Sequence, residues 1–422
     1  LTGQAGRIAL PKVDWVLVLP LLAWGAAVSL LAWVHRRPLL SFCREPVVAR
    51  PVLVLESDDW GAGPLSQAQV LPLIAATLTK HQDAKGRHPI MSLALVLAVP
   101  DGPTTVRRGA YRRIELDAPL LADVLCALRA GLERRVFGVQ LHGHEHFWPA
   151  SVVGCTQPAV RDWLRQAPPA PTEPLPSHLQ SRWVDATRLP SSPLPAAQIR
   201  AAVDEEVAAY RRILGEPPVV VVPPTFVWTR EVERAWAAAG VEFVVTPGWR
   251  STQRNAQGVP DGDEGPIVNG DRADGLAYLV RTDYFEPSRG RDAAHALRAL
   301  ARAASQGQPC ILENHRDNFI FDAEQCHRSL AELDALCAGA LRQHPDVRFL
   351  ATVELGRIVR DRDPEWIVQA WRERLPFVWQ RVRHSGRLWK LMRLTGLAAL
   401  GAVLVRLLGR PLSPAPARAV SS

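Results

Sequence analysis

The sequence predicts an α/β protein: a parallel sheet curled into a distorted (β/α) barrel of seven or eight units, with a transmembrane helix before it and a basic amphipathic helix after it. Three observations carry that expectation. Eight short apolar runs alternate with amphipathic stretches between residues 50 and 356, as strands buried on both faces alternate with helices in parallel sheets. Residues 15–34 are an uncharged run, long enough at ~1.5 Å per residue to cross a ~30 Å hydrocarbon core. After residue 356 the composition shifts, and tryptophans are interleaved with arginines.

Residues 1–49 read as the membrane anchor. Trp15 and Trp33 stand near the two ends of the apolar run, and His35, Arg36 and Arg37 follow at once, as interfacial belts do. A signal peptide is the alternative reading; against it, the run is longer than a usual signal core and has no clear cleavage site. Pro20 is tolerated in a membrane helix. Arg36, Arg37, Arg44 and Arg50 follow the span and only Arg7 and Lys12 precede it, a bias that favours the cytoplasmic side for the remainder. That count starts from Leu1.

Within 50–356 the strand-like runs are 52–55, 93–99, 136–141, 219–222, 241–245, 276–280, 311–312 and 348–352. Amphipathic helices are expected over 119–134, 196–214, 230–239, 292–305 and 322–342. Residues 156–195 contain eight prolines from Pro168 onward, too long a connection for a simple loop, and are expected to cover part of the barrel's carboxyl face. Residues 357–410 read as a basic, Trp-rich, membrane-associated helical segment, and 411–422 as a disordered tail.

The chain has 422 residues, 47% hydrophobic and 22% charged, with a net charge of +8. Residues 357–410 hold twelve Lys/Arg against four Asp/Glu, which accounts for the whole excess. The middle of the chain is therefore near neutral, and no nucleic-acid groove is expected there. The six cysteines lack paired spacing and read as small core residues, which favours a reducing compartment.

Two stretches carry the chemistry. The first run ends in Glu56-Ser57-Asp58-Asp59-Trp60-Gly61, and the third in His142-Gly143-His144-Glu145-His146. Adjacent carboxylates after a buried strand oppose each other's ionisation unless they bind metal or share a proton. The blander readings are a turn or helix cap for Ser57-Asp58-Asp59 and a chance cluster of surface histidines. Taken together, one Asp and two His leave a divalent ion with open positions for water and substrate.

This pattern resembles the polysaccharide deacetylase family, carbohydrate esterase family 4, with its NodB-homology domain. That family has an Asp-Asp pair after the first strand, His-x-x-x-His after the third, and a late His, matched here by Cys310-Ile311-Leu312-Glu313-Asn314-His315. The resemblance spans residues 51–354. It implies Asp58 as general base, His315 as general acid, and Asp59, His142 and His146 as ligands of a divalent metal, zinc by default. It also implies the glycoside hydrolase/deacetylase type of barrel and hydrolysis of an acetamide on a sugar.

The chain departs from the family at two motifs. The third motif's Arg is missing from 222–228, and the fourth motif's carboxylates are replaced by Thr246-Pro247-Gly248-Trp249-Arg250. Arg281, Asp283, Arg316 and Asp317 are the candidates to compensate. Trp60 replaces a family glycine and is expected to narrow the mouth. Trp148, Trp228, Trp249 and Tyr284 are candidates to stack on sugar rings, with core packing the alternative. Glu56, His144, Glu145 and Asp317 are expected around the ligands; His142, His144 and His146 sharing one face is a rival geometry that would exclude Asp59.

The resulting expectation is a metal-dependent hydrolase acting on an acetylated polysaccharide or lipid-linked glycan at a membrane, with lipids as a further partner and no nucleic acid. The charge bias favours the cytoplasmic face, the family's habit the extracytoplasmic one. The rivals are a glycoside hydrolase using Asp58 or Glu56 with a second carboxylate, and a non-catalytic module of a polysaccharide synthesis or export system.

Overall fold

A computed structural model describes residues 15–262 and 265–410. Its centre is a mixed, mainly parallel sheet with nine strands in parallel pairing: β1 (Val52–Gly61), β2 (Met91–Val96), β3 (Phe137–Leu141), β4 (Val220–Val221), β5 (Phe243–Thr246), β6 (Leu276–Val280), β7 (Asp283–Tyr284), β8 (Cys310–His315) and β9 (Arg348–Phe349). The spatial order is β6-β5-β4-β3-β2-β1-β8-β7, with β9 beside the start of β1 and Arg272–Ala273 antiparallel on β6. Each expected apolar run overlaps one of these strands, and Asp283–Tyr284 lies outside all of them. The sheet is curled, and a single segment links its two edges. The Arg281 amide donates to the Thr246 carbonyl on β5, and the next amide, Thr282, donates to Ile311 on β8. The chain thus changes strand partners between two adjacent residues.

Strand alternation divides each strand between two cores. On β1, Leu53 and Leu55 join the outer layer beneath the covering helices, while Val52 and Val54 join an inner cluster. Val220, Val222, Phe243, Val245, Ala277, Leu279 and Ile311 share that inner cluster with Leu355 and Val359 of the helix Thr352–Asp361. Helices Gln67–Leu78, Ala122–Glu133, Ala196–Leu214, Arg230–Ala238, Ala293–Ser305 and Ala323–Gln343 contribute to the outer layer. Side-chain caps set two of their starts: Asp292 accepts from the His295 amide and Asp322 from the Gln325 amide, satisfying amides with no partner inside the helix.

The proline-rich stretch 156–195 is ordered by its own core. Trp163, Leu164, Leu175 and Leu179 pack with Phe147 and Val152. Of the cysteines, Cys155, Cys310, Cys326 and Cys337 are buried as expected, whereas Cys43 and Cys126 are exposed.

The apolar amino-terminal run is helical over Trp15–Val34 and turns into Arg36–Arg44. Among the described residues no single helix is long and apolar enough to cross a membrane; Val18–Val34 with Arg36–Arg44, bent by 63°, meets that test only as a pair. In place of one carboxyl-terminal amphipathic helix there are three: Trp371–Arg383, Arg387–Leu394 and Leu397–Leu408, the last two bent by 95°. Both breaks before these short helices fall at glycines with positive φ, Gly386 and Gly396, a conformation glycine adopts without steric cost. The tail 411–422 lies outside the described residues.

Candidate active site

The inner face of the sheet changes character along its length. Near the strands' amino ends it is apolar; one or two alternations later the same columns carry Glu56 and Asp58 on β1, Glu313 and His315 on β8, and His142 just past β3. These residues reach a cleft of about 280 Å³ at the carboxyl ends, lined by Asp58, Asp59, His142, His146, Glu313 and His315. Pro223, Thr225, Phe226, Glu173, Gln180, Arg289 and Asp317 complete its wall.

Two adjacent aspartates face the same cleft only because β1 is bulged. Its register against β2 slips between Ser57 and Trp60, and Asp59 sits at φ +72. A regular strand would send Asp58 and Asp59 to opposite faces. One extra residue in the left-handed region turns both inward, and Asp tolerates that region better than most residues. The bulge also reverses the parity of the strand beyond it. Trp60 is fully buried in the outer layer, its ring 6.4 Å from Phe319 and its Nε1 donating to Ser57 Oγ at 2.8 Å. The expectation that Trp60 narrows the mouth is therefore corrected.

Asp59 Oδ1 lies 3.5 Å from His142 Nε2 and 3.3 Å from His146 Nε2. Two ligand atoms that are each ~2.0–2.1 Å from a tetrahedral ion stand ~3.3 Å apart, so the set fits a zinc-sized ion. The donor chemistry agrees. Asp59 Oδ1 is buried without a hydrogen bond, and His142 Nδ1 donates to the Val222 carbonyl at 2.7 Å, which turns Nε2 toward the site. Burial lowers the His142 imidazole, but Asp58 and Asp59 raise it above its ordinary value, so an ion would displace the Nε2 proton. Burial, with His142 nearby, holds His146 down to about 4 despite Asp59, so its imidazole is neutral, as a metal ligand must be. Burial opposes ionisation of Asp59, but both imidazoles outweigh it and keep the carboxyl well below its ordinary range.

Asp58 stands apart from this set. Both its oxygens accept from Arg281, at 2.7 Å each, while Arg281 Nε donates to Glu56 at 2.6 Å. Glu56 is held in turn by Thr352 Oγ1 at 2.6 Å. Burial raises the Asp58 carboxyl, but Arg281, then His142 and His315, more than reverse that. Arg281 also lies 3.3 Å from Glu313 and above the Phe226 ring. Of the four candidates to replace the missing Arg, only Arg281 reaches the Asp58 carboxylate; the Arg316 amide donates to the Asp58 carbonyl instead. Asp283 pairs with His295 and Arg302, Asp317 with Arg289, and Arg316 with Glu173 and the Asp59 carbonyl.

Across the cleft, His315 Nδ1 hydrogen-bonds Glu286 at 2.5 Å, and Asn318 donates to the other Glu286 oxygen. Burial would lower this imidazole; Glu286, Asp58 and Asp59 instead raise it to about 10. Glu286 is thus a carboxylate partner that no motif in the sequence announces. Glu313 had a readable signal, being two residues from His315 on one strand face.

The remaining expected site residues lie elsewhere. The strand ends at Leu141, and Gly143 at φ +101 breaks the alternation, so the three histidines do not share a face. His144 is buried toward Arg113 and Glu115, and burial with Arg182 and Arg113 lowers it to about 2. Glu145 is fully buried between Arg182 and Arg113, a scaffold pairing. Trp228 is buried, donating to Glu233, which corrects its assignment as a sugar platform. Trp148 lines a separate cavity of about 630 Å³ with Tyr111 and Arg113. Tyr284 packs against Arg291, and Trp249 is half exposed away from the cleft lining.

No family model and no curated protein matches the chain. Among solved structures it is similar to a 4-alpha-glucanotransferase from Thermococcus litoralis, with TM-score 0.37 and 12% identity over 72% of this chain and 40% of that one. It is also similar to a mutant peptidoglycan deacetylase from Bacillus subtilis (TM-score 0.36, 12% identity, 75% and 95% covered). A third likeness is to a carbohydrate esterase family 4 pseudoenzyme from Bacillus anthracis (TM-score 0.34, 11% identity, 73% and 66% covered). The chain thus spans less than half the length of the glucanotransferase. Likenesses this remote assign no residue, and the site stands on its own geometry.

Proposed function

We propose that the chain is a metal-dependent deacetylase that hydrolyses the acetamide of an N-acetylated sugar in a polysaccharide or lipid-linked glycan at a membrane. The observation that carries the reading is the separation of three tasks in one cleft. A three-ligand set (Asp59, His142, His146) lies beside a carboxylate held ionised (Asp58) and an imidazole held protonated (His315).

A divalent ion on those ligands, zinc by donor type, would polarise the amide carbonyl and acidify a bound water. Asp58 would take the proton of the attacking water. Its two oxygens each give one lone pair to Arg281 and keep another for that water, so the clamp aims the base without consuming it. His315 gives its proton to the departing nitrogen. Water adds to the carbonyl carbon, the C–N bond breaks, and acetate and a free amine leave. Arg281 and Glu286 position and charge these two groups; both lie in the segment that crosses between the sheet edges.

The direct test is Asp58→Asn in the full chain. It keeps the ligand set, so metal content should match wild type while acetate release from an N-acetylhexosamine polymer falls ~10²–10⁴-fold. Wild-type protein with neither bound metal nor acetate release would end the proposal. The glycosidase alternative has one observation in its favour: Asp58 and Glu313 have oxygens within 4.8 Å. It predicts chain cleavage that a chelator does not affect. A non-catalytic module predicts that Asp58→Asn leaves the cellular phenotype unchanged.

The His315–Glu286 pair sets a pH dependence. His315 is raised to about 10, so its acid form persists through neutral pH and turnover should decline on the alkaline side as that value is approached. The stabilisation from the pair is complete below the ordinary value of 6.5 and is lost as pH rises through about 10. Glu286→Gln should move the alkaline limb of kcat down by about one pH unit or more; an unmoved limb would separate Glu286 from the acid.

A further inference from the structure

The terminal helices meet beside the chain that enters β1 and the turn that enters β8. Trp24 Nε1 donates to the Thr395 carbonyl at 2.8 Å, joining the first helix to the last two. Arg381 is 2% exposed and donates to the carbonyls of Phe42, Glu45 and Pro46 and of Gln306. One buried guanidinium thus ties the amino-terminal segment, the carboxyl-terminal helices and the turn before β8 together. The Val48 amide donates to Gly307 and the Ala49 amide to Trp366, and β1 starts only three residues later. The contacts of Arg381, Val48 and Ala49 sit at the amino ends of β1 and β8, the ends opposite Asp58 and His315.

Among the described residues nothing covers the apolar surface of this platform: Leu19, Leu22, Trp33, Leu394, Leu404 and Leu407 are 53–83% exposed. Exposed Arg36, Arg37, Arg383, Arg387, Lys390 and Arg393 accompany them, with no acidic residue between 366 and 410 except Glu373. Apolar side chains beside basic ones match an anionic lipid surface, where acyl chains take the former and headgroups the latter. From Val52 to Asp58 the strand rises roughly 20 Å at ~3.3 Å per residue.

We infer that the two terminal segments seat together in an anionic bilayer as one unit, so that the cleft opens away from the lipid and takes sugars far out on a polymer, not the first sugar joined to a lipid. The inference rests on the deacetylase reading for the reaction only. The seating follows from the helices. A sugar held at headgroup level would face the amino end of the barrel, with the sheet between it and His315.

Two measurements on the full chain in phosphatidylcholine vesicles containing phosphatidylglycerol test this. In a Cys43→Ser, Cys126→Ser background, a bimane label is placed through Leu394→Cys on the platform or Phe321→Cys on the cleft side. Lipid-borne nitroxides should quench the label at 394 and leave that at 321 unchanged. Equal quenching at both would overturn the orientation, and protein left in the supernatant of sedimented vesicles would overturn the seating. Acetate release is then followed from a lipid-anchored single N-acetylhexosamine and from a lipid-anchored polymer. In vesicles only the polymer should react; in detergent both should. Equal rates in vesicles would overturn the substrate class. Silence of both substrates in detergent would sink the deacetylase reading while the quenching pair still decides the orientation.

Discussion

Replacing Arg281 by Met is expected to cost about 3–5 kcal/mol of folding stability, because it leaves buried carboxylates without their counter-charge. Glu56, Asp58 and Glu313 all face that guanidinium, and Glu56 and Asp58 are at most 3% exposed. Protons taken up to neutralise them would abolish the ionised base as well, so turnover should fall at least ~10²-fold even where the variant remains folded. Arg281→Lys keeps the charge but not the planar fork that serves Asp58 and Glu56 together. It should recover much of the stability and little of the turnover. Denaturant midpoints with acetate release on both variants check this. A Met variant as stable and as active as wild type would remove Arg281 from the account.

The second large effect is expected at Asp59. Asp59→Gly deletes a ligand without straining the backbone, since φ +72 suits glycine. Metal binding should be lost and turnover should fall ~10³-fold or more, the several kcal/mol that such an ion supplies. Stability should fall as well in metal-free protein. Burial opposes the Asp59 carboxylate, but the His146 and His142 imidazoles more than reverse that and hold it well below its ordinary range, so its removal forfeits stability at neutral pH. The variant should therefore unfold earlier than chelated wild type. A variant that keeps stoichiometric metal would show that the ion is held elsewhere, with Asp58, Glu313 and His315 the other grouping to examine.

Much of the site is legible in the residues themselves. Apolar runs in a barrel-like rhythm place the strands to within a few residues, because a strand buried on both faces must be apolar almost throughout. The Asp-Asp and His-x-x-x-His pairs stand out because such residues are costly at the end of a buried strand without a purpose. Trp60 departs from its expected place for one reason. Simple alternation from Asp58 turns it inward, but the bulge at Asp59 adds a residue and sends it outward. Glu286 leaves no trace in the sequence, being far from His315 in the chain and on an irregular turn.

Local periodicity and side-chain chemistry are enough to set the alternation of elements and the ion-binding residue types. All of that is written in the amino-acid sequence. Which Arg meets Asp58, and which carboxylate meets His315, is decided by the folded sheet alone. Both come from the segment 281–286, which passes between the two edges of the curled sheet. Their partners lie 223 and 29 residues away in the chain. No local pattern encodes a contact that exists only because the sheet curls until its edges meet.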